Sequence, residues 1–165
     1  RIAREIAAYQ KSCPGQPVGL IGQSGGCGVA VFTAEALSRI PGAEPMECLV
    51  LLDASLSANY DLTTALSMCN RGIVNFYNKQ DVALLGAGTL MFGNVDGGHG
   101  DSAGRIGFKR TFPKLYQIEV KRDMVAAFAD SHFADTSAAF ASQYIAPWLI
   151  DTTWPAYGSG RYANK

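Results

Sequence analysis

The chain carries no net charge, because its fourteen Lys and Arg side chains balance fourteen Asp and Glu. Nothing in that balance attracts a nucleic acid or an anionic membrane, so neither is expected as a partner. Histidine is scarce, with only His99 and His132 in 165 residues, and the four cysteines form no C-x-x-C pair. Neither histidine stands at zinc-ligand spacing from Cys13, Cys27, Cys48 or Cys69, so the sequence asks for no metal and no cofactor. The cysteines are expected as small buried apolar residues. No apolar run approaches the ~20 residues that a membrane-spanning helix needs. No G-x-G-x-x-G register and no G-K-[ST] occur, which removes the dinucleotide and P-loop readings.

What is present is apolar material, 48% of residues, enough for the core of one ordinary domain. Residues 2–12 read as a helix stopped by Pro14 and Gly15, and Val18 to Gln23 as a short buried strand. A helical pattern follows from Gly25 to Ile40 and is closed by Pro41-Gly42. Cys48 to Asp53 is a continuous apolar run of the kind found where helices cover both faces of a parallel sheet. Asp61 is placed to cap a helix reaching Cys69, with strands then at 72–78 and 114–120. From Thr136 to Leu149, Phe140, Tyr144, Ile145, Trp148 and Leu149 recur on a helical period. This alternation predicts an α/β fold, a layered parallel sheet of about four strands with flanking helices. Residues 1–150 form the domain and 151–165 a polar tail. Val82 to Phe108 breaks the rhythm with eight glycines and no period. Loops of that length inside a domain are usually functional, and its glycines suit a hinged lid.

The first strand runs into Gly22-Gln23-Ser24-Gly25-Gly26, a G-x-S-x-G placed between a strand and a helix. Such a turn leaves room only for small residues around the serine, which then projects above the sheet edge as a nucleophile. The amide of Gly25 would face a developing oxyanion at the helix N-terminus. A serine needs a base, and the base needs an acid that holds it in one tautomer. His132, in Asp130-Ser131-His132-Phe133, follows the last strand and is the preferred base. His99, in the glycine-rich loop, is left for substrate contact. Asp81 after the third strand is the preferred acid, and Asp53 after the second is the alternative. Cys27, one helical turn past Ser24, is a weak rival nucleophile because burial is expected there.

The order Ser24, Asp81, His132, each just beyond a successive strand, resembles the C-terminal half of an α/β-hydrolase over about residues 1–150. The resemblance implies Ser24 as nucleophile, Asp81 as acid and His132 as base in a serine hydrolase of the esterase and lipase type. Its substrate would be a small-molecule ester, thioester or amide. Asp53 occupies the place where some lipase-like members keep their acid, so both carboxylates stay open. The chain departs from the family in lacking the strands that precede the nucleophile strand. The second oxyanion amide would come from that region, and losing one such donor typically costs about 10²–10³ in kcat. The strand at 18–23 would also keep an uncovered apolar edge. The expectation is therefore a fragment, a processed subunit, or a homo-oligomer whose partner covers that edge. A noncatalytic binding module on the same fold is the alternative function.

Overall fold

The structure, a computed structural model, describes residues 1–80, 93–125, 134–151 and 153–155. Strands β1 (Gly19–Gln23), β2 (Met46–Leu52), β3 (Cys69–Tyr77) and β4 (Leu115–Glu119) form one sheet in the order β1-β2-β3-β4. All three pairings are parallel, and the register sets Gln23 beside Leu52, Leu52 beside Phe76 and Phe76 beside Ile118. The carboxyl ends of the strands therefore finish close together along one edge of the sheet. The α/β class expected from the sequence is the class observed.

Parallel strands need crossovers, and these cover the sheet. Helices α1 (Ile2–Ser12) and α2 (Gly25–Leu37) lie on one face, where Ala3, Ile6, Cys27, Val31, Ala34 and Leu37 join Leu49, Leu51 and Ile73 in one core. The opposite face buries Val50, Leu52, Val74, Phe76 and Ile118 under Phe140, Ile145 and Trp148. Alternate residues of β2 thus feed two cores, which explains why its sequence is apolar throughout. Short helices α3 (Thr63–Ser67) and α4 (Ala103–Ile106) sit in the crossovers on either side of β3. No described helix is long and apolar enough to cross a membrane.

Several boundaries differ from the sequence reading: α2 ends at Leu37 rather than Ile40, and β2 begins at Met46 rather than Cys48. The helix expected from Asp61 to Cys69 is only α3, and β3 begins at Cys69 rather than Gly72. Pairing decides this: Met46 lies beside Cys69 and Cys48 beside Gly72, with a bulge between, and Met46 N–H donates to Met68 O. The C-terminal helix is interrupted. It runs as α5 (Ala138–Phe140), a π turn (Ala141–Ile145) and α6 (Ala146–Ile150). Pro147 at the start of α6 has no N–H to continue the regular ladder, and a π turn accommodates the change. Beyond it, Trp154 packs on Trp148 at 4.8 Å between ring centroids and donates its Nε1–H to Trp148 O. The start of the expected tail is thus tied to the domain.

Candidate functional site

The site grows from the turn between β1 and α2. Ser24 has φ 52° and ψ −123°, a left-handed backbone that residues with side chains rarely adopt. Its N–H donates to Leu52 O at 2.9 Å, and its carbonyl accepts from Cys27 N–H at 3.1 Å and Ser55 N–H at 3.2 Å. The turn is tight enough that a Cβ on Gly22 would stand 2.6 Å from Gly26 O and 2.7 Å from Cys27 Cα. Only glycine fits there, and this is the steric requirement read in the G-x-S-x-G pattern. Gly25 opens α2, where the first amides have no intrahelical acceptor.

At the neighbouring strand end, Asp53 is also left-handed, with φ 47°, and is 1% exposed. Its N–H donates to Phe76 O at 3.1 Å, which carries the chain from β2 into the turn. Two non-glycine residues in strained conformations thus stand side by side at the carboxyl end of the sheet, where open parallel sheets place their ligand sites. Past β3, Asn78 is buried and its side-chain oxygen accepts the Gln80 N–H at 3.0 Å. Asp81 and His132, the preferred acid and base, lie outside the described residues. His99 is exposed, with its ring against Gly93 in its own loop.

Cys27 is fully buried beneath the turn, and its thiol donates to Leu52 O at 3.3 Å. Burial pushes this thiol far above the ordinary range, and the nearby carboxylates of Asp53 and Asp135 push it in the same direction. A neutral buried thiol serves packing, not nucleophilic attack. The effect on Cys27 also places Asp135, itself 1% exposed, within electrostatic reach of the turn. Asp135 escaped the sequence reading because nothing in Ala134-Asp135-Thr136 distinguishes it from a helix-start residue. Among the described residues, no three His, Cys, Asp or Glu side chains group as metal ligands, and all four cysteines are free thiols.

The described part of the glycine-rich segment is hydrogen-bonded to the loop that follows β2. Residues 93–104 are zipped along 54–58, with Val95 N–H to Ser55 O, Ala58 N–H to Asp101 O, Ala103 N–H to Leu56 O and Gly104 N–H to Ala54 O. Ser57 and Ser102 form an antiparallel bridge, and Ser57 N–H donates to Asp96 Oδ1 at 2.9 Å. A groove of about 550 Å³ is lined by Ile21, Leu52, Thr136, Ile145 and Leu149 among others. It borders β1, the edge strand of the described sheet, where Ile21 is 51% exposed. The chain matches no protein-family model, no curated protein and no solved structure.

Proposed function

We propose that this chain carries a serine hydrolase site of the α/β-hydrolase type, acting on an ester, thioester or amide. The observation that carries the reading is the left-handed Ser24 between β1 and α2, packed so closely that Gly22 admits no side chain. Strain of this kind costs on the order of 1–3 kcal/mol and persists where the conformation serves a site. In the proposed reaction Ser24 Oγ forms a bond to the acyl carbon while its proton passes to His132. The carbonyl oxygen gains negative charge, and the Gly25 amide is its donor. His132 then gives its proton to the leaving group as the acyl–leaving group bond breaks. Water attacks the acyl-enzyme by the same route in reverse roles. Asp81 holds His132, with Asp53 the alternative for that role; Asp53 is supported by its position beside Ser24 at the end of β2.

A second reading, a noncatalytic binding module or a half-enzyme completed by another chain, is favoured by one observation. β1 is the edge of the described sheet and presents Ile21 to solvent. The two readings part on covalent labelling. Treatment with a fluorophosphonate followed by peptide mapping should place one adduct on Ser24, lost in Ser24→Ala and reduced in His132→Ala. Comparing Asp81→Asn with Asp53→Asn identifies the acid as the variant with the larger loss. Absence of any adduct in folded protein would leave the binding module.

A further inference from the structure

Resting on that hydrolase reading, we propose that Val95 is the specificity-determining wall of the site, the surface against which the acyl group of the substrate packs. Val95 is 45% exposed, an unusual place for a branched apolar side chain with no share in either core. Its backbone is nevertheless fixed. Val95 N–H donates to Ser55 O at 2.9 Å, and Ser55 N–H donates to Ser24 O at 3.2 Å, so two hydrogen bonds separate the valine from the nucleophile's own backbone. Asn94 N–H bonds Gly98 O at 2.7 Å, Gly97 N–H bonds Asn94 O at 2.8 Å, and Asp96 accepts the Ser57 amide, which closes the loop on both sides of Val95.

The side chain lies over the first turn of α2. Val95 Cγ1 is 3.5 Å from the point a Cβ on Gly25 would occupy, and Cγ2 is 2.3 Å from the same point on Gly28. Gly28 therefore makes room for Val95, and the valine methyls roof the residue that follows Ser24. In the proposed reaction, an acyl group bonded at Ser24 with its oxygen at the Gly25 amide would meet those methyls, which stand over Gly25. A rigid apolar wall there favours aliphatic acyl groups and limits their length or branching. Selection by such contacts is typically worth 10–200-fold per methylene.

The test is the ratio of kcat/KM for p-nitrophenyl hexanoate over p-nitrophenyl acetate in wild type, Val95→Ala and Val95→Phe, with fluorophosphonate labelling of Ser24 in each. The smaller side chain should raise the ratio by about threefold or more, and the larger should lower it by a similar factor. Ile150→Ser, at an exposed position on α6, should leave the ratio where it is. Labelling at Ser24 with one unchanged ratio in both Val95 variants would overturn the role of Val95 alone. Failure of the wild-type chain to label or turn over either ester would overturn the hydrolase reading and this inference together. If Val95→Phe does not fold, Val95→Ala carries the test.

Discussion

At the scale of single residues, Ser24 and Asp53 spend backbone energy that ordinary packing would not require. Each holds φ near +50°, where a Cβ meets the adjoining carbonyl. Glycine has no such penalty, so Ser24→Gly should relieve the strain, whereas Ser24→Ala should keep it. We expect Ser24→Gly to be the more stable of the two by about 1 kcal/mol in urea denaturation, with labelling lost in both. A Ser24→Ala protein as stable as Ser24→Gly would mean that the turn relaxes without cost. The G-x-S-x-G pattern made this turn legible because Gly22 answers a steric demand made within five residues, whereas a Cβ on Gly26 would meet nothing within 4 Å. Asp53 was legible only as a candidate, since a carboxylate after an apolar run says nothing of its burial. Val95 had no signal at all, because its role depends on Gly25 and Gly28 meeting it from a distant part of the chain.

At the scale of elements, the strands were easier to read than the helix ends. β2 is apolar because both its faces are covered, and that pattern survives in one dimension. The start of β3 lies ahead of the expected Gly72 because the chain from Cys69 joins the sheet through pairing with β2, which outweighs local preference. Arg71 is used where it enters the sheet: it pairs with Glu47 at 3.1 Å and donates to the carbonyls of Trp148, Leu149 and Asp151 at the end of α6. A cation at a helix C-terminus satisfies carbonyls the helix leaves open. Asp61 works at the start of α3, accepting the Thr63 hydroxyl at 2.6 Å and the Thr63 N–H at 3.0 Å, with Arg110 at 2.9 Å. Those Thr63 bonds, then Arg110, lower its pKa from 3.8 to about 2. A carboxyl whose folded pKa is depressed stabilises the native state above its unfolded value and loses that contribution as pH falls through the folded one. The stability gap between wild type and Asp61→Ala should therefore hold at neutral pH and narrow as pH falls from 3.8 toward about 2. Urea midpoints across that range give the measurement, and a gap independent of pH would remove the charge from the account.

At the scale of the whole molecule, the described sheet is covered on both faces, and among the described residues no strand pairs with the outer side of β1. That edge carries Gly19, Leu20, Ile21, Gly22 and Gln23, with no charge, no proline and no bulge to discourage another strand. A groove lined by Ile21, Leu52, Ile145 and Leu149 adjoins it. Self-association through this edge should be concentration-dependent in sedimentation velocity and weakened in Ile21→Lys, which sets a charge on the exposed strand face. Association at equal strength in that variant would move the interface elsewhere.

The sequence by itself determined the α/β class, the two-sided burial of β2 and the serine turn, because each is a local pattern of size, polarity and glycine placement. The tertiary structure alone decided where β3 begins, that Asp53 and Asp135 are buried, and that Val95 roofs Gly25. Those outcomes depend on contacts between segments far apart in the chain, and the energy of such contacts is not written in any one of the segments that make them.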